Sequence, residues 1–237
     1  MDLGETILHF GRVDIPKLFE AGSGLAYAHL KGLGVGLPEF IKYHRRKLRA
    51  IRWSYFKSRI TGREFNALDV LTRLNKRIGI ALTPEQTLEL AALWYEPLGR
   101  CATVEQESIA TLEALRASGL KLGVISNTFI PAEVLDRHLK REGLLDLLPY
   151  RVYSCQIGYR KPHPRIFQKA LDLAGLSPGE TLFVGDSPKA DVVGARRMGM
   201  ISVLKDPIGR HARCRIEPDH RIERLHELPG IIAKYNS

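Results

Sequence analysis

Two aspartates five residues apart lie in the run Gly185-Asp186-Ser187-Pro188-Lys189-Ala190-Asp191. Carboxylates so placed can hold a hard cation such as Mg2+, which takes oxygen ligands and accepts only a few from protein. The run follows Thr181-Leu182-Phe183-Val184, an apolar stretch that reads as a short, fully buried strand. It precedes Val192 to Met198, which reads as a helix stopped by Gly199. Ligands of open α/β sheets bind at the carboxyl ends of parallel strands, where this pair would sit. The competing reading is an ordinary turn rich in Asp, Ser and Pro.

Three further groups stand upstream, in order. Val124-Ile125-Ser126-Asn127-Thr128 is a second buried strand ending in hydroxyl and amide groups. Tyr159-Arg160-Lys161-Pro162-His163-Pro164 carries a lysine just ahead of a predicted helix, Arg165 to Ala174. Asp2-Leu3-Gly4-Glu5-Thr6 opens the chain with a carboxylate and, four residues on, a threonine. Each has a plain explanation when taken singly. Ser126 to Thr128 can cap a helix that begins at Pro131, Lys161 can be a solvated surface lysine, and Asp191 can favour a helix amino terminus.

Taken together, these motifs resemble those of the haloacid dehalogenase-like hydrolase superfamily, in its phosphatase-like branch with a helical cap. The resemblance runs through the whole chain, densely from about Thr111 to Leu204 and at the first eight residues. It implies an α/β fold: a doubly wound, Rossmann-like parallel sheet with an all-helical cap inserted after the first motif. It also implies an Mg2+-dependent phosphatase acting on a small anionic phosphorylated metabolite. In that scheme Asp2 is the nucleophile that forms an aspartyl-phosphate. Asp186 binds Mg2+, with Asp2 and the backbone carbonyl of Gly4 as further ligands. Asp191 holds the metal's waters or orients Lys161, while Lys161 bridges Asp2 and the phosphoryl group. Ser126 donates to a phosphoryl oxygen, helped by the backbone at Asn127, and Thr6 orients the Asp2 region through a hydrogen bond.

Two departures from the family pattern carry expectations of their own. Phosphatases of this kind usually have a second Asp two residues after the nucleophile, and here that position is Gly4. General acid–base help is typically worth about 10²–10⁴ in rate, so slow hydrolysis of poor leaving groups is expected. Glu5 is adjacent, but one residue along an extended chain points elsewhere, so it is not expected to replace that acid. Only Met1 precedes Asp2, so the usual apolar strand before the nucleophile is missing. That predicts a start placed too late or a shortened chain, with unpaired ladder groups and a badly held nucleophile. Rival readings are a catalytically weak relative that binds a phosphorylated ligand or partner, a dehalogenase, and a basic nucleic-acid-binding module. Against the dehalogenase stand the Gly185-Asp186 pair and the absence of an aromatic residue at position 4.

The elements that must position these groups follow from hydrophobic patterning. From about Thr111 helix and strand alternate, as in a parallel sheet covered by helices. The predicted order is Val104–Ser118 (helix), Leu120–Ser126 (strand), Pro131–Arg141 (helix), Arg151–Ser154 (strand) and Arg165–Ala174 (helix). Leu182–Val184, Lys189–Met198 and Ile201–Leu204 continue the series, and Arg224–Lys234 reads as a terminal helix. Between Gly11 and Thr103 only helical stretches are evident, near Pro38–Arg59, Ala67–Ile78 and Pro84–Trp94. The expected division is a core of residues 1–10 and 104–237 and a cap of residues 11–103.

With 237 residues and 44% hydrophobic content, the chain can bury an ordinary core. It contains no apolar run near the roughly 20 residues that span a bilayer, nor a charged-then-apolar secretory start. Cys101, Cys155 and Cys214 are odd in number and far apart, which argues against a disulfide framework and fits a reducing cytosol. Cys214 with His220 and His226 matches no zinc spacing. Twelve Lys or Arg between Ile41 and Arg77 face only Glu64 and Asp69, an excess equal to the +10 of the whole chain. Such a field attracts anions. Arg45, Arg49 and Arg52 are therefore candidate phosphate-facing residues. Tyr43, Trp53, Tyr55 and Phe56, interleaved with the cations, are expected to be cap core rather than a base-stacking surface, so a nucleic-acid partner is not expected.

Overall fold

The computed structural model of the protein describes residues 1–236. In chain order come β1 (Leu8–His9), α1 (Ile15–Gly32), α2 (Phe40–Thr61), α3 (Ala67–Arg77), α4 (Pro84–Gly99) and β2 (Thr103–Val104). They are followed by α5 (Gln106–Ala117), β3 (Gly123–Ser126), α6 (Ala132–Arg141), β4 (Tyr150–Tyr153), the one-turn α7 (Ser154–Ile157) and α8 (Pro164–Ala174). The chain ends with β5 (Leu182–Gly185), a wide turn over Pro188–Val192, α9 (Val193–Met198), β6 (Ile201–Lys205), β7 (His220–Ile222) and α10 (Leu228–Ile232).

Strands β3 and β4 pair in parallel, as do β5, β6 and β7. Met1 and Asp2 join the two groups. The Met1 amino group donates to the Gly123 carbonyl (2.8 Å), and Ile125 N–H donates to the Met1 carbonyl (2.9 Å). On the other side Asp2 N–H donates to the Val184 carbonyl (2.7 Å). The spatial order is thus β4-β3-(Met1, Asp2)-β5-β6-β7. The sequence predicts a badly held nucleophile, whereas these two residues pair on both flanks at the level of the strands' carboxyl ends. Beneath Met1 a cleft of about 350 Å³ opens between the starts of β3 and β5, with Leu120, Leu122 and Leu182 on its walls.

Period-two alternation sends neighbouring strand residues to opposite layers. Val124 and Val184 pack with Leu112, Leu135 and Leu139, while Ile125 and Phe183 pack with Ile166, Phe167 and Leu171. Helices thus cover both faces of the sheet. The predicted terminal helix is broken, because a continuous helix from Arg224 would put Pro229 in its interior, where it lacks an N–H and clashes with the preceding turn.

Helices α1 to α4 are bracketed by a separate two-stranded antiparallel pair, Leu8 with Val104 and His9 with Thr103. Asp14 caps α1, Asn66 caps α3, and Thr83 with Gln86 forms a capping box on α4. Sequence reading misses α1 because its glycines look like breakers. One of them is a packing requirement: a Cβ on Gly22 would lie 2.2 Å from the Trp94 carbonyl oxygen, where α1 crosses α4. Ile51, Val70, Leu71, Trp94 and Tyr95 share the large core with the sheet layer, while Ala26, Leu30, Tyr43, Ile80 and Leu90 form a cluster of their own.

Helix α2 corrects two expectations. The sequence pattern puts Ile41, Leu48, Ile51 and Tyr55 on one face; Ile51 is buried, but Ile41 and Tyr55 are 43% and 41% exposed, and the inward line runs through Tyr43, Lys47, Ile51 and Ser58. Steps of four and seven residues track the core better than the 41–48–55 line. Trp53 and Phe56, expected in the core, are likewise exposed and stack on each other, with ring centroids 5.8 Å apart. Only Tyr43 of the four aromatics is fully buried.

Candidate active site

Parallel strands deliver the predicted residues to one end of the sheet. Asp2 follows the Met1 stub, Ser126 ends β3, and Asp186 comes directly after β5. Lys161 lies on the loop between α7 and α8, and Asp191 on the wide turn after β5. Oxygen atoms of Asp2, Asp186 and Asp191 all fall within 4.8 Å of one another. Lys161 Nζ lies 2.7 Å from Asp2 Oδ1 and 2.7 Å from Asp191 Oδ1. Lys161 and Asp191 are 4% and 1% exposed, so neither is the solvated surface residue that its type alone suggests. Ser126 is buried as well and does not cap α6, which starts behind Pro131.

Local bonds hold this arrangement. Asp191 Oδ2 accepts from Ser187 N–H (2.9 Å), and Ser187 Oγ accepts from Ala190 N–H (3.3 Å), which closes the turn around the carboxylate. Asn127 braces the lysine: its Oδ1 accepts from Lys161 N–H (2.7 Å) and its Nδ2 donates to the Lys161 carbonyl (3.1 Å). Sequence reading credits Asn127 only with a backbone contribution; its side-chain role needs a contact across 34 residues, for which no local signal exists. Gly185 lies so close to Asp191 that a Cβ there would meet the carboxylate at 2.4 Å.

Thr6 is fully buried, but its hydroxyl has no hydrogen-bond partner among the described residues, so the expected orienting bond is absent. The Asp2–Leu8 turn is held instead by backbone bonds from Ile7 and Leu8 N–H to the Leu3 carbonyl. Glu5 has a left-handed backbone (φ 56°), and its carboxylate accepts from Phe10 N–H (3.2 Å). It is committed to that turn rather than to acid–base work beside Asp2.

The electrostatics follow from three carboxylates crowded around one ammonium. Burial, reinforced by Asp2 and Asp191 and opposed by Lys161, pushes the Asp186 carboxyl up to about 7. Burial also raises Asp191, to about 6, with Lys161 opposing and Asp2 adding. For Lys161 burial acts downward, but the carboxylates of Asp191 and Asp2 outweigh it and hold the ammonium above its ordinary range. Negative charge therefore remains in excess here. An all-oxygen donor set with surplus negative charge suits a hard divalent cation. No other group of three His, Cys, Asp or Glu ligand atoms comes this close among the described residues, which sets aside Cys214 with His220 and His226. Cys101, Cys155 and Cys214 are all free.

Cations near the site differ from those expected. Arg45, Arg49 and Arg52 lie on the outer face of α2. A cavity of about 580 Å³ opens beside Asn127, Lys161 and Ser187, and it is bordered instead by Arg59, Arg160, Lys189 and Arg197. No helix among the described residues is long and apolar enough to cross a membrane.

Comparison with known proteins agrees with this geometry. The family model for haloacid dehalogenase-like hydrolases matches residues 2–199. A phosphoserine phosphatase of Thermus thermophilus is 33% identical over 145 residues, 61% of this chain and 57% of its own length. A glyceraldehyde 3-phosphate phosphatase of Methanopyrus kandleri is 31% identical over 168 residues, 68% of this chain and 70% of its own length. The crystal structure of a HAD phosphatase from Thermococcus onnurineus superposes with a TM-score of 0.59 at 25% identity, covering 98% of both chains. The chain spans about half the length of the curated relatives it matches first. By its family match, its fold and the order of its motifs, this chain belongs to the haloacid dehalogenase-like hydrolases.

Proposed function

We propose that the protein is an Mg2+-dependent phosphatase of a small anionic phosphorylated metabolite, working through an aspartyl-phosphate. The observation that carries this reading is the Asp2, Asp186 and Asp191 cluster with Lys161 wedged between Asp2 and Asp191. A phosphate monoester repels an approaching carboxylate, and fixed positive charge offsets that repulsion as the transition state forms. Asp2, Asp186 and the Gly4 carbonyl would hold Mg2+, which supplies Lewis-acid charge at the phosphoryl oxygens. Asp2 then attacks phosphorus, the ester oxygen leaves, and water cleaves the acyl phosphate to regenerate Asp2. Lys161 binds the phosphoryl group beside the nucleophile and Ser126 donates to one of its oxygens, while Asn127 keeps the lysine backbone in place. The helices of residues 11–103 act as the cap, their Ser58–Gly62 segment reaching the rim of the site. Phosphatase relatives support the reading.

Gly4 and the committed carboxylate of Glu5 favour one second reading, a phosphate-ligand binder with little turnover. Phosphate release from p-nitrophenyl phosphate and acetyl phosphate separates the two, because neither leaving group needs a strong acid. Turnover that depends on Mg2+ and is lost in Asp2→Asn is the expected result. Calorimetric binding of phosphate without turnover, in folded protein, would establish the binder instead.

A further inference from the structure

The cavity of about 580 Å³ beside the site has an unusual wall: its lining includes Arg59, Arg160, Lys189 and Arg197, and no Asp or Glu. These cations are not equivalent. Arg160 is already neutralised, since its guanidinium is paired with the buried Glu64 carboxylate. Arg59, Lys189 and Arg197 are exposed, and none has an ion-pair partner among the described residues. Three elements supply them: the end of α2, the turn that carries Asp191, and α9. The amino-terminal end of α8 also borders the cavity through His163 and Pro164, and a helix amino terminus adds partial positive charge. Unpaired cations focused in one concavity, continuous with Asn127, Lys161 and Ser187, raise the local concentration of anions.

We propose that this cavity is a subsite for a second anionic group of the substrate, so that the preferred substrates are phosphate esters whose organic part carries a carboxylate or a further phosphate. The subsite rests on the phosphatase reading for its link to turnover, but binding tests it separately. With the phosphoryl group at Lys161, the rest of the ester extends between core and α2, where Lys189 and Arg197 stand on the core side and Arg59 on the other. A neutral polyol in that place leaves the cations to solvent, whereas an anion gains charge-assisted hydrogen bonds. The outer-face arginines of α2 do not border this cavity and take no part.

The test is calorimetric binding in Mg2+ buffer of three esters: glycerol 3-phosphate, 3-phosphoglycerate and 2,3-bisphosphoglycerate. The last two add a carboxylate, then a second phosphate, to nearly the same skeleton. Binding at least about tenfold tighter than glycerol 3-phosphate is expected for one or both, as for a hydrogen-bonded charge, and the stronger of the two identifies the anion. In Lys189→Gln with Arg197→Gln that preference should fall toward unity, and Lys189→Arg should retain it. Because both side chains are exposed and unpaired, circular dichroism should show an intact fold. Equal affinities in the wild-type protein, no binding by any of the three, or a preference that survives the double substitution would overturn the subsite. Failure of the phosphatase reading looks different: tail-dependent binding would persist without release of phosphate from p-nitrophenyl phosphate.

Discussion

At Gly4 the structure leaves room for a side chain. A Cβ built there meets nothing within 4 Å, and the backbone is not in the left-handed region. Glycine is therefore not demanded by packing, and its consequence is chemical: no acid stands two residues after Asp2, and Glu5 is bonded to Phe10 N–H. Gly4→Asp should raise kcat for alkyl phosphates by roughly 10²–10⁴, the usual worth of a positioned acid, while changing acetyl phosphate turnover far less. Parallel kcat measurements on the two substrate types check this, and an equal effect on both would show that proton transfer to the leaving group is not limiting. Ser126 and Asp186 were legible because each closes or follows a short apolar strand, while Asp2, Lys161 and Asp191 were legible only through the order in which their motifs stand along the chain. Their supports were not: the Asn127 amide on Lys161 and the closure of Ser187 around Asp191 emerge only when distant loops meet.

Among the elements, core strands were the easiest to read, since Val124-Ile125 and Phe183-Val184 are buried on both faces and stay apolar throughout. Helix α2 was the hardest, because its inward line carries a lysine. Lys47 is 2% exposed and has a hydrogen bond to Tyr43 Oη (3.0 Å) but no carboxylate partner. Burial pushes its ammonium from 10.5 down to about 7. The unfolded chain holds this proton up to the ordinary lysine value, whereas the folded chain releases it near 7. Unfolded protein thus binds more protons across that window, and stability rises with pH from about 7 to about 10.5. Below pH 7 the full cost of burying the charge applies. Lys47→Met, which keeps the length and removes the charge, should therefore stabilise the protein by a few kcal/mol at pH 6, on the scale of about 1.4 kcal/mol per pKa unit. At pH 9.5 the gain should be much smaller. Urea unfolding at the two pH values measures it, and an identical gain at both would mean that Lys47 is not buried as an ammonium.

Across the whole molecule, the helical and sheet layers share several hydrogen bonds, and one buried carboxylate gathers a cluster of them. Glu64, on the link between α2 and α3, accepts from Ser58 Oγ (2.9 Å) in its own layer and from Ser154 Oγ (2.9 Å) in the other. Arg160, next to Lys161, completes the set by pairing with Glu64 and donating to Ser58 Oγ (3.2 Å). Ser154 Oγ also accepts from Thr128 N–H (2.8 Å), so the network reaches the loop after β3 as well. Backbone bonds from Glu64 N–H to Gly158 and from Arg160 N–H to Gly62 (3.0 Å each) run alongside. None of this was legible in the sequence, where Glu64 reads as one of two acids in a basic window and its partner lies 96 residues away. The Glu64 side chain is 0% exposed and that of Arg160 11%, so removing one charge strands the other with little solvent. Breaking a buried pair in this way costs about 3–5 kcal/mol, whereas replacing both members by apolar groups is often near neutral. Glu64→Gln should accordingly lower Tm by roughly 6–20 °C, at about 2–4 °C per kcal/mol for a chain of this size. Arg160→Met added to Glu64→Leu should recover much of that loss. Differential scanning calorimetry of the two variants decides the matter: a drop under about 2 °C for Glu64→Gln would mean that backbone pairing and the shared apolar core, not this carboxylate, hold the layers together.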